Sequence, residues 1–365
     1  MTSPSAESAE RRPQPARGGR PGRGPSMTQV AELAGVSSQT VSRVVNGRTN
    51  VDPATRDRVV TAMEDLGYRP NRAARALKSG RFRSLGLMVL DLESYGNTRT
   101  ANAITLEAAR VGYLVTLRPL GVPTIEAVSQ AFESLIEGTD GVVLLVEAST
   151  LDRARIEFPP GLPAILVDTD QESSYTVVDN DQRLGARLAV EHLLDLGHET
   201  VWHLAGAQDS HPADARENQW RETLSRHGRT IPPVIRGDWS AQSGYEAARR
   251  IAAEPGVTAV FAANDQMALG LLRGLDEAGR RVPNDISVVG YDDMPESANF
   301  IPPLTTVHQS FDRVGVACVT SLVREIEQGV RTERTIIPVE LVVRSSTAPP
   351  PGFTAATPDQ GPPRG

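Results

Sequence analysis

A single cysteine, Cys318, occurs in the sequence, so no internal disulfide can form, which fits a reducing cytoplasm. Cys318 sits in the apolar run VGVACVTSL and reads as a small core residue. The six histidines are scattered and give no metal-site spacing, and no cofactor is expected. No apolar run approaches the roughly 18 residues that a membrane span needs. The first 25 residues are rich in Pro, Gly, Ser and Arg and lack the apolar centre of a secretory signal. Neither a GxGxxG nor a P-loop follows a first strand, and no nucleophile–base pairing stands out. The expectation is a soluble protein that is not an enzyme. A nucleotide-dependent enzyme is disfavoured on the missing motifs, and a periplasmic-type sugar-binding protein on the missing signal region.

What is present begins with an uneven charge. Residues 1–83 hold 15 Arg or Lys against 7 Asp or Glu, while the whole chain is −7, leaving −15 for the rest. A basic head on an acidic body suggests a polyanionic partner at one end only. Composition and pattern divide the chain into a tail 1–25, a helical head 26–69, a linker helix 70–82, a body 83–346 and a second Pro-rich tail 347–365.

The head reads as three short helices. Met27–Ala34 is stopped by Gly35, a second helix runs from about Ser38 to Asn46, and Asp52-Pro53 is a strong start signal for the third. Val59, Val60, Met63 and Leu66 form its apolar row, and Gly67 ends it. Ala31, Gly35 and Val41 have the spacing of a helix-turn-helix: a small residue where helices touch, glycine for the turn, a branched residue to lock the pair. Val36, Val41 and Val45 are expected to point inward. The polar set Ser37, Ser38, Gln39, Thr40, Ser42, Arg43 and Asn46 is then the DNA-facing side of the second helix. Gln can pair bidentately with adenine and Arg with guanine, each worth about 1–3 kcal/mol of discrimination. The linker RPNRAARALKSGR, with Asn71 as its N-cap candidate and Leu77 as its one large apolar residue, buries little and should be marginal alone.

From Ser84 the pattern alternates. Strands SLGLMVLDL, YLVTLRPL, GVVLLVEAS and AILVDTD flank helices 99–111 and 124–137. A second set follows, with helices 183–196, 214–228, 241–253 and 266–278 between strands VWHLAG, PVIRGD, AVFAAND and ISVVGYDD. This is an α/β body of two doubly wound parallel sheets with a cleft between two similar lobes. Ligands of such sheets bind beyond the carboxyl ends of the strands. Asp91, Asp168, Asn264-Asp265 and Asp292-Asp293 gather there, Arg216 begins a helix, Trp239 follows PVIRGD and Gln309 lies in a crossover. Carboxylates accept two hydroxyls, Arg donates a fork, Asn does both, and an indole packs on the C–H face of a sugar ring. Other readings stay open. Asn264 also suits a helix cap, with Asp265 the stronger candidate for a pure cap. Trp239 suits a lobe core, Arg216 a buried ion pair, and Asp293 a structural role.

The head and linker sequence MTQVAELAGVSSQTVSRVVNGRTNVDPATRDRVVTAMEDLGYRPNRAARAL resembles that of LacI/GalR-family repressors, as do ANDQMALG, DISVVGYDD and IPPLTTVHQSF, over about residues 26–347. The resemblance implies a periplasmic-binding-protein-like body on a helix-turn-helix head. It implies a hinge helix that orders on operator DNA, Leu77 entering the minor groove, and Asn71 and Arg72 capping the helix and touching phosphate. It also implies a homodimer on a near-palindromic site and effector contacts at Asp168, Arg216, Trp239, Asn264, Asp292 and Gln309, with Asp91 added from its position alone. A small sugar, a galactoside among the candidates, is the expected effector; a purine-type corepressor is the alternative within the family. Where one member of the family has an aromatic residue lining its pocket, this chain has Asp179-Asn180, a pair common elsewhere in the family, and Ser38 replaces a frequent tyrosine, so the operator sequence should differ. The Pro-rich C-terminus has no leucine heptads, which favours a dimer over a coiled-coil tetramer.

Overall fold

The structure is a computed structural model that describes residues 25–48, 50–69, 80–90, 92–121, 124–146, 156–169, 175–208 and 210–352. Residues 70–79 of the expected hinge, with Asn71, Arg72 and Leu77, and also Asp91, lie outside the described residues. The chain divides into two compact units, Met1–Gly80 and Arg81–Gly365.

The first unit is built on helices α1 (Met27–Ala34), α2 (Ser38–Val45) and α3 (Pro53–Asp65). Each has the start its sequence calls for. Ser26 and Gln29 form a capping box on α1, the Ser37 hydroxyl accepts from Thr40 N at 3.1 Å, and Asp52 accepts from Thr55 N at 3.0 Å. Gly35 takes the left-handed conformation, φ 63°, that ends α1 and turns the chain into α2. Val30, Ala31, Ala34, Val41, Val44, Val59 and Ala62 form the buried centre. Val36 and Val45, expected inward, pack half-buried against this centre, and Val44 is buried as well. Val60 is 41% exposed, and Ala62 fills its expected place in the α3 row.

The second unit contains two six-stranded sheets. The N-lobe runs β1 (Ser84–Val89), α4 (Tyr95–Arg110), β2 (Leu114–Pro119), α5 (Ile125–Ile136), β3 (Gly141–Leu145), β4 (Ala164–Leu166) and β5 (Thr176–Asn180). The C-lobe runs α6 (Gln182–Asp195), β6 (Trp202–Ala205), α7 (His211–Arg226), β7 (Ile235–Arg236), α8 (Ala241–Ala253), β8 (Ala259–Ala262), α9 (Asp265–Glu277), β9 (Ser287–Asp292) and β10 (Thr305–His308). The chain then returns to the N-lobe through α10 (Phe311–Gln328) and β11 (Thr335–Ile337), and crosses once more to β12 (Glu340–Val342). Sheet orders are β11-β5-β4-β3-β1-β2 and β12-β10-β9-β8-β6-β7. Every pairing is parallel except β10 with β12. Three crossings therefore join the lobes: β5 to α6, β10 to α10 and β11 to β12.

The alternating pattern gives both sheets, but β5, β10, β11, β12 and α10 have no counterpart among the expected elements. They come late or are short, and α10 follows two strands of a different lobe. Helix α4 starts at Tyr95 rather than 99, because Gly96, Asn97 and Thr98 break the apolar period of its first turn. Cys318 is a fully buried member of the N-lobe core, on α10. The expected C-terminal tail starts too early. Ala348 N donates to Ser287 Oγ at 2.9 Å, and the Ala348 carbonyl lies 3.0 Å from His198 Nε2, so the chain is bonded into the C-lobe past 347. No described helix is long and apolar enough to cross a membrane.

His203 on β6 shows how tightly the C-lobe core is drawn. Its imidazole stacks on Phe261 with centroids 4.8 Å apart, and Nδ1 donates to the Phe261 carbonyl at 2.9 Å. A carbonyl can only accept, so the proton is on Nδ1 and Nε2 is a buried acceptor without a donor among the described residues. Burial pushes the ring's pKa down to about 4, outweighing the carbonyl bond that favours the charged form. An unfolded histidine titrates near 6.5, so this contribution to stability is complete above that pH and lost as pH falls toward 4, about 3 kcal/mol at most. In His203→Phe the stability difference from the parent, followed by urea unfolding, should move in the variant's favour between pH 7 and pH 4.5. A pH-independent difference would contradict the assignment.

Candidate functional site

The carboxyl ends of the strands of both sheets face a cavity of about 490 Å³. Asp168 follows β4, Asn264 follows β8, Asp292 ends β9, Gln309 follows β10, Trp239 follows β7, and Arg216 comes from the second turn of α7. All six line this one cavity. Ser94, Tyr95 and Phe311 line it from the N-lobe side.

Arg216 organises the floor. The residue is 4% exposed. Nε donates to Gln182 Oε1 at 3.0 Å, Nη1 donates to the Ala263 carbonyl, and Nη2 stands 4.0 Å from Asp292 Oδ1. Its plane lies 3.7 Å from the Tyr291 ring centroid and 5.5 Å from that of Trp239. Buried charge without such partners would be strongly unfavourable. Asp292 in turn accepts from Gln309 Nε2 at 2.7 Å, and Gln182 Nε2 reaches Gln309 Oε1 at 3.2 Å. Burial still raises the Asp292 pKa to about 7; the nearby arginine lowers it but does not cancel the loss of water. The Asp292 carboxyl therefore stands between its charged and neutral forms at near-neutral pH.

The remaining residues are fixed by the backbone. Asp168, Trp239 and Asp292 have φ of 60°, 76° and 112°, values that L-residues seldom adopt. Strain of this kind costs about 1–3 kcal/mol per residue and concentrates where side chains must be aimed. The Trp239 indole lies against Gly206, where a Cβ would come within 2.2 Å of Cη2. Asn264 turns out to be the cap: Oδ1 accepts from Met267 N at 2.9 Å, while Nδ2 donates to the Trp239 carbonyl at 3.0 Å. Asp265, expected as the pure cap, does something else. It is fully buried and accepts from Met294 N, Ser297 Oγ and Thr306 Oγ1 at 2.9, 2.6 and 2.5 Å, tying β10 to α9. Asp293 is bonded to Arg344 at 2.6 Å and His308 at 3.1 Å, away from the cavity.

Asp179 and Asn180, which the family comparison alone had set at a pocket-lining position, and Gln182, which the sequence did not single out, line the site from the end of β5 and the start of α6. Recognising TVVDN as a strand would have put Asp179 and Asn180 at a carboxyl end like the others. Burial and the neighbouring Asp168 carboxyl both hold the Asp179 pKa well above the usual range, and the two carboxyls are hydrogen-bonded to each other.

In the first unit, Ser38, Gln39 and Arg43 are exposed on α2. Ser37 and Thr40 are occupied in starting that helix, with their hydroxyls 3.0 Å apart, and Asn46 closes it through Nδ2 to the Ser42 carbonyl at 2.7 Å. Of the expected set, Ser38, Gln39 and Arg43 are thus the side chains not engaged at the helix ends, while the others shape the helix that carries them.

A helix-turn-helix unit joined to a two-lobed receptor with a polar interlobe cleft defines a ligand-responsive DNA-binding regulator. The chain belongs to the lacI family of bacterial regulatory proteins: residues 26–71 match the model of that family, and residues 190–347 match a periplasmic binding protein-like domain. It is 36% identical to the lactose operon repressor of Escherichia coli (strain K12), over 91% of this chain and 93% of that one. It is 33% identical to the HTH-type transcriptional repressor PurR of Pasteurella multocida (strain Pm70), over 88% and 98%. Among solved structures it matches the lac repressor dimer bound to operator and the anti-inducer ONPF with a TM-score of 0.82 and 34% identity, over 89% of this chain and all of that one. It also matches a complex of the transcriptional regulator CelR with cellobiose, with a TM-score of 0.65 and 32% identity, over 88% and 99%.

Gly206→Ala should push the Trp239 indole off its seat. The variant is expected to lose about 1–3 kcal/mol of stability from overpacking and to show altered tryptophan emission. Unchanged emission and an unchanged unfolding midpoint would show that the indole does not depend on that glycine.

Proposed function

We propose that the chain is a transcriptional repressor that acts as a homodimer on near-palindromic operator DNA in the cytoplasm, and that a small sugar in the interlobe cleft releases it. Ser38, Gln39 and Arg43 are the base-reading residues, with Ser37, Thr40, Ser42 and Asn46 holding their helix. Asn71 and Arg72 touch the DNA backbone from the hinge, and Leu77 enters the minor groove. Asp168, Arg216, Trp239, Asn264, Asp292 and Gln309 contact the effector, with Asp91 beside them.

The observation that carries this reading is the buried Arg216–Asp292–Gln309 network set beside an indole in a cavity between two lobes. Alternating donors and acceptors match neighbouring hydroxyls, and the indole offers a flat apolar face to the C–H side of a ring. The cellobiose-bound relative supports the same chemistry. Closure of the lobes on sugar changes the relative setting of the two hinges in the dimer. The hinge helix, marginal by itself, then loses its DNA-stabilised state. By linkage, operator binding weakens sugar binding by the same factor.

The test starts from operator selected out of a random DNA pool, followed by titration with galactosides, glucosides and nucleobases. A sugar that lowers operator affinity supports the reading; a nucleobase that raises it would replace it with the corepressor reading. Arg216→Leu is expected to keep operator affinity, which also shows that it folds, and to abolish release by the sugar that acts on the parent. Release at the parent's sugar concentration would contradict the site.

A further inference from the structure

The receptor unit begins at Arg81, and the residues at its entrance are held from two elements at once. In the turn between α5 and β3, the Asp140 carboxylate accepts from Phe82 N at 2.7 Å and from Arg83 N at 2.8 Å, one bond to each oxygen. Asp140 N also donates to the Ser84 carbonyl at 2.8 Å. The C-terminal end of α10 supplies the second hold. Arg81 Nη2 donates to the Ile326 carbonyl at 3.0 Å, in the last turn, where carbonyls lack helix partners. Arg83 Nη1 stands 3.2 Å from Glu327 Oε1, with Arg81 at 4.0 Å and the Tyr113 hydroxyl at 3.4 Å from the same oxygen. Arg83 itself has φ 54°, a left-handed conformation that a residue with a Cβ keeps only when its surroundings impose it. Strain of this kind gathers at switch segments, and here it falls on the residue that leads into β1. All the groups of this grip belong to the N-lobe. Helix α10 joins them to the cleft: Phe311 and Val314 in its first turn line the cavity, and Gln309, just before it, donates to Asp292. Its 18 residues span about 27 Å, and Val314, Cys318, Val319 and Leu322 fix it in the N-lobe core.

We propose that Asp140 and the end of α10 form a clamp on residues 81–83, so that the DNA-binding arm leaves the receptor from a fixed point and turns with the N-lobe. Asp140 and Glu327 are then positioning residues for operator binding, although neither touches DNA or effector. The inference rests on the reading of the chain as a repressor whose linker orders on operator. A linker that leaves from a fixed point has less freedom to lose when it orders. The same fixed point converts a turn of the N-lobe into a displacement of the arm; a loose exit would absorb that turn. The clamp therefore serves both operator affinity and its loss on effector binding.

The test uses the full chain, the operator selected from the random pool, and the variants Asp140→Asn and Glu327→Ala. Asn keeps the size of Asp140 but turns an NH2 toward one of the two amides. Either change removes a negative charge, so general electrostatics would strengthen binding to all DNA. The clamp predicts the opposite sign for operator alone. Affinity should fall about tenfold in Asp140→Asn, the cost of ordering roughly one more backbone residue on DNA. It should fall less in Glu327→Ala, since half-exposed ion pairs contribute little. Affinity for random-sequence DNA should not fall in either. Cellobiose, methyl galactoside and methyl glucoside are the release probes. Whichever of them releases the parent should bind Asp140→Asn equally well without DNA, yet lower its operator affinity by a smaller factor. An operator affinity unchanged or raised in Asp140→Asn would overturn the inference, and so would an equal fall on random DNA or release by the parent's full factor. Should Asp140→Asn not fold, the sign of the change in Glu327→Ala decides. Should none of the three sugars act on the parent, the operator measurement decides alone. A parent that selects no operator would overturn the repressor reading together with the clamp.

Discussion

The buried guanidinium of Arg216 is the constraint around which the receptor unit is arranged. A fixed positive charge in a low-dielectric interior must be met from every side, and here a carbonyl, an amide, a carboxylate and two aromatic faces meet it. These partners come from α6, from the ends of β8 and β9 and from the turn after β7, so the same charge that faces the cavity also sets the spacing of the C-lobe elements. Asp292 and Trp239 hold strained backbone conformations for this purpose. The strain is local, and strands β8 and β9 behind it are fully buried and parallel, which is where the free energy to hold such conformations comes from.

Asp168, Trp239, Asn264 and Asp292 were legible because the rule linking ligand sites to carboxyl ends of strands needs only the strands and the polar residues after them, whereas Arg216 on a helix and Gln309 after an unrecognised strand were reached through the family resemblance. Where a strand was not recognised, the rule could not reach the residue after it. TVVDN has two valines and then polar residues, too short a run to separate from a loop, so Asp179 and Asn180 were noticed only through the family comparison. The roles of Asn264 and Asp265 were exchanged for a different cause. Either side chain can cap a helix, and only the backbone geometry, with Asn264 extended before the first turn, decides between them. The head was read more fully, since capping residues, glycine and proline act locally. Even there, the burial of Val44 beside Val41 and Val45 depended on how α2 is rotated against its neighbours, which one helix's periodicity does not fix.

Polar residues in both units divide into those that shape and those that present. On α2, Ser37, Thr40 and Asn46 spend their hydrogen bonds on the helix ends, which leaves Ser38, Gln39 and Arg43 exposed. Around the cleft, Gln182, Tyr291 and Asp265 are held by protein partners, while Asn180, which lines it, carries an acceptor without a partner among the described residues. Hydrogen-bond accounting thus sorts residues of similar composition into scaffold and contact without reference to any ligand.

The three strand-to-helix and strand-to-strand crossings between the lobes bear on how the receptor can be dissected. Neither lobe is a continuous piece of chain: α10 and β11 are made after the C-lobe sheet yet complete the N-lobe, and Val314, Cys318, Val319 and Leu322 of α10 fill its core. No single scission releases an intact lobe. A fragment ending near residue 180 would display the naked faces of Leu85, Leu87, Ile165 and Val178 to water, and one beginning there would carry an amphipathic helix with nothing to cover. Truncation libraries and reporter fusions that cut between the lobes will therefore yield aggregates rather than half-receptors.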